Sequence, residues 1–156
     1  MRGKQAPKRS IDPDTKFNRT DLAKFINYIM ERGKKTVAED IVYSMMTIIS
    51  DKTKLDPVEV FETAIRNVAP TVEIKGRRVG GANYQVPMAV RSERSFTLAC
   101  RWLIDAAAAK KGKKMSDRLA EEIIAAYNSE GTAFKKKQDT YKMAEANRAF
   151  AHFGRS

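Results

Sequence analysis

The sequence predicts a mainly α protein, a bundle of five to six short helices with one protruding β-hairpin between the third and fourth helices. Apolar residues recur at three- and four-residue spacing in several segments, which is typical of amphipathic helices. Gly80-Gly81 separates two β-prone runs, and glycine accepts the positive φ that tight hairpin turns require. No other segment has a clear strand pattern, so we expect the hairpin to stand outside any larger sheet.

Three helices are predicted before the hairpin. Thr20 is a candidate cap for the first, which ends near Gly33, and Thr36-Val37-Ala38-Glu39 has capping-box spacing for the second. Asp56-Pro57 joins a capping residue to a proline at the first helical position of the third helix, which Pro70 ends. The apolar positions predicted to face inward are Leu22, Phe25, Ile26, Ile29, Met30, Val37, Ile41, Val42, Met45, Ile48, Ile49, Phe61, Ala64, Ile65 and Val68.

The hairpin is predicted at about residues 72–89, with Pro87 on an edge strand because proline cannot donate a ladder hydrogen bond. A two-residue Gly80-Gly81 turn would pair Arg77 with Tyr84, and an odd-length loop would change this register. In the two-residue register Lys75, Arg77 and Tyr84 share one face, which would offer two cations and an aromatic ring to a phosphate-and-base surface.

Three more segments follow the hairpin. Ser92 is a candidate cap for the fourth helix and Ser116 for the fifth, which Gly131 would stop. The last segment, about residues 132–151, is weakly patterned, and we expect one side of it to rest on the body and the other to meet a partner. The predicted inward positions are Phe96, Ala99, Cys100, Leu103, Ala107, Leu119, Ile123, Ile124 and Tyr127.

These segments predict a basic extended N-terminal arm at 1–18, one helical domain at 19–153 and a short tail at 154–156. The arm is polar and contains Pro7 and Pro13. It fits two interpretations equally, a frayed terminus or a basic arm that orders on nucleic acid.

The net charge of +11 at 156 residues indicates a polyanionic partner, with nucleic acid ahead of anionic membrane. The basic residues concentrate at joints and ends of the predicted elements. Arg91 and Arg94 stand at a helix start, where positive charge is unfavourable unless an anion such as phosphate is near. The lysine run at 135–137 fits either a solvated face or a contact surface.

Several classes of site are excluded by the residue inventory. Cys100 is the single cysteine and His152 the single histidine, so neither an intrachain disulfide nor a zinc cluster can form. No nucleophile elbow, Walker-type phosphate loop or paired-acid motif is present. We therefore expect a protein that is not an enzyme and needs no metal or cofactor. The N-terminal residues lack the apolar core of a signal peptide and no apolar run reaches membrane-spanning length, so we expect a soluble, intracellular protein.

Three functions fit a basic helical chain: a structural binder of folded RNA, a DNA-binding regulator and a membrane-surface protein. A DNA regulator would need one prominent recognition helix, whereas the charge here is spread over several elements. A membrane-surface protein would need a basic amphipathic helix with its apolar face free, whereas these faces are needed for the core. Folded RNA, read through shape, phosphates and unpaired bases, suits scattered arginines best.

Several strings carry a family resemblance: Arg77-Arg78-Val79-Gly80-Gly81 with Tyr84-Gln85-Val86-Pro87, the segment Ala64 to Val72, and Met143 to His152. Through these strings the chain resembles the bacterial small-subunit ribosomal protein seven family (uS7). The resemblance covers nearly the whole chain from about Phe17 onward. The resemblance implies a helical body with a hairpin, bound to small-subunit (16S-type) ribosomal RNA in the 3′ major domain of the head. It also implies head-assembly nucleation, cytoplasmic localisation in the small subunit and, for some bacterial members, repression of their own mRNA.

The resemblance also implies site residues. Ribosomal RNA would be bound by Lys8, Arg9, Phe17, Lys34, Lys35, Lys75, Arg77, Arg78, Arg94, Lys113, Lys114 and Met115, and the helix-start argument adds Arg91. Exit-site tRNA and mRNA would face the hairpin at Arg78, Val79, Gly80, Gly81 and Tyr84. The platform protein of the eleventh family would meet the C-terminal region at Arg148, Phe150, His152 and Phe153.

Overall fold

The computed structural model of the protein describes residues 3, 4, 6, 7 and 9–154. Over these residues the elements are α1 (Thr20–Ile29), α2 (Lys35–Thr53), α3 (Pro57–Val68), β1 (Val72–Val79), β2 (Ala82–Ala89), α4 (Ser92–Ala109), α5 (Met115–Tyr127), α6 (Gly131–Ala146) and a C-terminal 3-10 helix (Arg148–Gly154). The mainly α class and the hairpin between the third and fourth helices are confirmed.

The chain divides into two compact units, Met1–Asp40 and Ile41–Ser156, and the division falls within α2. In the first unit α1 buries the predicted Leu22, Phe25 and Ile26. Before α1, the carboxylate of the buried Asp14 accepts backbone N–H groups of Lys16, Phe17 and Arg19 at 3.1, 2.9 and 3.0 Å, which closes a tight turn.

The second unit has its core among the last four α-helices. α5 packs against α3, α4 and α6, and α4 also packs against α6. Phe61, Leu103, Leu119 and Ile123 are fully buried. The side-chain amide of Asn67, near the end of α3, donates to the carbonyls of Ala126 and Tyr127 at 3.0 Å each. These carbonyls lie at the end of α5, where the Ala126 carbonyl also accepts the Ser129 N–H at 3.0 Å.

One predicted core position is wrong. Val37 is 51% exposed, whereas Ala38, Val42, Met45 and Ile49 are buried. The buried residues recur at spacings of four, three and four, which is one face of a helix, and Val37 lies about 100° from that face because each residue turns the helix by that angle.

The predicted helix starts differ in accuracy. Asp56 is the N-cap of α3, and its carboxylate accepts the Val58 N–H at 3.0 Å, as predicted. Thr20, Ser92 and Ser116 are not N-caps but lie inside their helices, which begin after Arg19, Arg91 and Lys114 with no side-chain cap. At these three sites the extended backbone of the preceding basic residue ends the loop without help from a capping hydroxyl.

Two predicted helix ends are also wrong. α1 ends at Ile29, and Gly33, with φ of +73°, lies in the turn that follows. Gly131 does not stop α5, which ends at Tyr127, but opens α6 with φ of +92°. A Cβ at Gly131 would lie 2.9 Å from Oε1 of Glu122 and 3.1 Å from Ala125 Cβ, so this close approach favours glycine in addition to the positive φ.

Candidate nucleic-acid interface

The hairpin is held at its root, defined here as Thr71–Lys75 with Val86–Val90. The Val90 N–H donates to the Thr71 carbonyl at 2.9 Å and closes the base of the hairpin. The Ser95 hydroxyl donates to the Pro70 carbonyl at 2.7 Å, which ties the first turn of α4 to the entry of β1. These bonds bring basic residues of β1 and α4 to one place.

At that place Glu73 binds two predicted RNA-binding cations. Lys75 Nζ lies 3.1 Å from Oε1 of Glu73, and Arg94 Nη2 and Nε each lie 3.3 Å from Oε2. The Glu73 side chain is 13% exposed, whereas those of Lys75 and Arg94 are 56% and 46% exposed. We call these three residues the Glu73 triad, a carboxylate beneath two outward-facing cations.

Electrostatics keep the Glu73 carboxylate charged. Its burial alone would raise the pKa, but the hydrogen bond from Lys75 and the charge of Arg94 together hold the pKa of Glu73 below its usual value. The triad therefore carries a net single positive charge at neutral pH. An exposed cation pair with one excess charge can bind a phosphodiester through charge-assisted hydrogen bonds.

The predicted hairpin register is confirmed: Val79 pairs with Ala82, Arg78 with Asn83 and Arg77 with Tyr84. Gly80 and Gly81 form the turn with φ of +57° and +88°, the positive values of a primed two-residue turn. Because side chains alternate between faces, Arg77, Tyr84 and Lys75 share one face and Arg78 projects from the other.

The C-terminal 3-10 helix covers the distal part of the Arg77 face. The ring of Tyr84 lies 5.1 Å from the rings of both Phe150 and Phe153, centroid to centroid, and Arg77 Nη1 donates to the Phe153 carbonyl. Tyr84 is half-buried, so its ring is engaged within the protein rather than presented as an open stacking surface. No sequence pattern predicted this contact, which joins residues 66 to 76 positions apart.

Apolar packing also anchors the hairpin. Val86 is fully buried, and Gly154 of the 3-10 helix lies against it, since a Cβ at Gly154 would be 3.4 Å from Val86 Cγ1. The root of the hairpin is therefore part of the apolar core of the second unit. The tip, Arg78–Asn83, is exposed except for the half-buried Val79.

A cavity of about 380 Å³ lies between the root, α6 and the 3-10 helix. On its wall the Tyr141 hydroxyl accepts the Thr71 N–H at 3.0 Å and bonds the Thr71 hydroxyl at 2.9 Å. Burial alone would raise the pKa of Tyr141, but the Thr71 hydrogen bonds and the Lys137 charge lower it overall. These contacts fix α6 to the start of β1.

Lysines of α6 also contact the body, which the sequence left open. Lys137 Nζ donates to the Asn67 carbonyl at 2.7 Å and lies 5.7 Å from the Tyr141 ring centroid. Lys136 Nζ lies 5.8 Å from the Trp102 ring centroid. Lys135 is exposed, so the run at 135–137 is partly a packing surface.

Three predicted RNA-binding residues, Lys113, Lys114 and Met115, lie at the start of α5. Lys113 forms an ion pair with Glu121, Lys114 is exposed, and Met115 is the half-buried first residue of α5. The hydrogen bond and charge of Glu121 raise the pKa of Lys113. Arg91 is exposed immediately before α4.

Other predicted site residues lie in the first unit. Arg9, Lys34 and Lys35 are exposed, and Lys35 Nζ donates to the Asn27 side-chain carbonyl at 2.7 Å. Phe17 is half-buried in the Asp14 turn, with Lys16 Nζ 5.9 Å from its ring centroid. Lys8 is outside the described residues.

The four predicted protein-partner residues all belong to the 3-10 helix. Phe150 and Phe153 face Tyr84, as described. Arg148 is exposed and pairs with Glu145 at 3.4 Å, and the exposed His152 bonds the Ala149 carbonyl through Nδ1 at 2.9 Å. Two of the four are thus engaged with the hairpin and two face outward.

Among the described residues, no group of three or more His, Cys, Asp or Glu side chains is arranged to hold a metal ion. No described helix has the length and apolarity needed to cross a membrane.

Sequence reasoning missed Glu73 and Glu122. Glu73 had a usable signal, because it lies two residues before Lys75 and therefore on the same strand face. Glu122 had none, since its partners Lys110 and Ala133 come from outside α5.

The chain is similar to known proteins over nearly its whole length. The family described as Ribosomal protein S7p/S5e matches residues 1–148. The small ribosomal subunit protein uS7 of Thermotoga maritima is 58% identical over 153 residues, 98% of this chain and 99% of the relative. Those of Thermotoga neapolitana and Chloroflexus aggregans are 55% identical over 153 residues (98% and 99%) and 53% identical over 148 residues (95% and 94%).

Proposed function

Since the chain belongs to the ribosomal protein S7p/S5e family, we propose that it is a structural constituent of the small ribosomal subunit that binds ribosomal RNA. Members of this family are structural proteins rather than enzymes. More specifically, the protein nucleates assembly of the 3′ major domain in the subunit head. It contacts exit-site tRNA and mRNA through its hairpin.

The single observation that carries RNA binding is the Glu73 triad. Two exposed cations from different elements, Lys75 and Arg94, meet at one carboxylate at the hairpin root. Phosphate contacts of this type position a protein on RNA, which is read largely through its shape and backbone. Exposed Arg78, Arg91 and Lys114 supply further phosphate contacts around the second unit.

The hairpin divides between two kinds of RNA contact in this proposal. The root and the start of α4 bind ribosomal RNA, because their cations are held close to the body. The tip faces tRNA and mRNA, since it is largely exposed and carries Arg78 on the face opposite the 3-10 helix.

The C-terminal 3-10 helix is proposed to meet the eleventh-family platform protein. Its aromatic residues Phe150 and Phe153 pack inward on Tyr84 and give the helix a fixed position. The exposed Arg148 and His152 are then available to the neighbouring protein. Repression of its own mRNA stays a prediction from the family resemblance.

The test compares binding to a small-subunit head RNA fragment and to random duplex DNA at matched salt. We expect tight RNA binding whose log affinity falls by about 0.7–0.9 per phosphate contact for each log unit of salt. DNA binding should be weaker throughout. Equal affinity for the DNA would favour the DNA-binding regulator instead.

A second experiment tests the ribosomal assignment directly. In a sucrose gradient of cell extract at moderate salt, the protein should migrate with small subunits. Reconstitution of the head from purified RNA and proteins should stall when this protein is omitted. Migration with free proteins at the top of the gradient would contradict the proposal.

A further inference from the structure

We propose that Glu73 is a positioning residue, which holds Lys75 and Arg94 together as one two-cation phosphate site; this inference rests on the proposed RNA binding. Lys75 Nζ is 3.1 Å from one Glu73 oxygen and Arg94 Nη2 is 3.3 Å from the other. A single carboxylate thus sets the separation of two cations that come from β1 and α4.

The burial pattern fits a support rather than a competitor for phosphate. Glu73 is 13% exposed beneath cations that are 56% and 46% exposed, so an incoming phosphate meets Lys75 and Arg94 first. Lysine and arginine side chains lose rotamer freedom when they bind a phosphate, and holding them in place beforehand reduces that loss.

The charges predict that the two cations act as one unit. The intact triad has a net single positive charge, which one phosphodiester neutralises. When either cation is removed, Glu73 pairs one-to-one with the other and the site becomes neutral. The first substitution therefore disables the remaining cation, which Glu73 now holds. The second removes no further phosphate contact but leaves Glu73 with an uncompensated negative charge, which accounts for the upper part of the range expected for the double variant.

The test is a double-mutant cycle on the full chain with the head RNA fragment. We expect K75Q and R94Q each to weaken binding about tenfold, and the double variant about tenfold to thirtyfold rather than about a hundredfold. Additive losses in affinity in the wild-type background would overturn the proposal. This part of the experiment leaves Glu73 unchanged.

The same cycle is then measured in E73Q and, as a matched control, in E93Q. Glu93 is exposed in the first turn of α4, so E93Q makes the same charge change beside Arg94. The coupling should disappear in E73Q and persist in E93Q. Coupling that survives in E73Q would show that Lys75 and Arg94 communicate by another route and would overturn the proposal.

A specificity readout separates positioning from simple repulsion of phosphate. E73Q removes a negative charge, so its affinity for an unstructured RNA of equal length should rise. Its preference for the head fragment over that RNA should fall about three- to tenfold. If E73Q binds both RNAs more tightly by the same factor, Glu73 only repels phosphate and the positioning role is overturned. Failure of the wild-type chain to prefer the head fragment would instead contradict the proposed function, so the two failures are distinguishable.

Discussion

At the scale of single residues, Glu122 organises the start of α6 from another helix. This carboxylate is 1% exposed, lies 2.8 Å from Lys110 Nζ and accepts the Ala133 N–H at 2.9 Å. The first N–H groups of a helix have no partner within it, and the residue before α6, Glu130, supplies no side-chain cap. Glu122 replaces that cap, and Gly131 leaves room for it.

Replacement of Gly131 by alanine should therefore lower the stability of the protein by more than the strain of its positive φ alone. The new Cβ would lie 2.9 Å from Glu122 Oε1 and 3.1 Å from Ala125 Cβ, and the φ of +92° is strained for alanine. We expect a loss of about 2–4 kcal/mol in the free energy of unfolding, measured by urea titration.

Gly112 is the matched control for this substitution. Its φ of +86° is similar, but a Cβ there would meet nothing within 4 Å. G112A should cost only about 1 kcal/mol, the backbone part of the effect. Equal losses in G131A and G112A would show that the approach to Glu122 contributes nothing to stability.

At the scale of elements, the hairpin combines an anchored root with a free tip. Val86 is fully buried, and Tyr84 packs against two rings of the 3-10 helix. The tip residues beyond the Arg77–Tyr84 pair are exposed except for the half-buried Val79. Two deletions of different length should therefore affect stability and RNA binding differently.

Replacement of Arg78–Asn83 by Asn-Gly keeps the Arg77–Tyr84 pair beside a favoured two-residue turn. We expect this variant to keep the wild-type urea midpoint and to lose affinity for tRNA or mRNA, because Arg78 is gone. Removal of Lys75–Val86 should lower the free energy of unfolding by about 2–3 kcal/mol, since the burial of Val86 is lost. Equal midpoints for the two deletions would contradict the anchored root.

At the scale of the whole molecule, local signals in the sequence predicted the elements well. Asp56-Pro57 predicted the start of α3, and Gly80-Gly81 predicted the hairpin register, because both depend on backbone conformation within a few residues. The reversed role of Gly131 was not predictable, since it depends on Glu122, nine positions earlier on a different helix.

The candidate site was predicted in composition but not in arrangement. Lys75 and Arg94 were predicted as RNA-binding cations, yet their meeting at Glu73 joins β1 to α4, two elements that the Ser95–Pro70 hydrogen bond also connects. The packing against the Tyr84 ring likewise comes from Phe150 and Phe153, which are more than 60 residues later in the chain. Such contacts are set by tertiary packing, which a single sequence does not display.

The net charge of +11 predicts that salt affects stability and RNA binding in opposite directions. Self-repulsion destabilises the compact state, and added ions screen it, so the urea midpoint should rise as KCl increases. RNA affinity should fall over the same range because phosphate contacts are screened. A K111E variant, changed at an exposed position, should show a smaller rise because its net charge is lower. A midpoint that falls with salt would instead show that ion pairs such as that of Arg94 with Glu73 outweigh the repulsion between like charges.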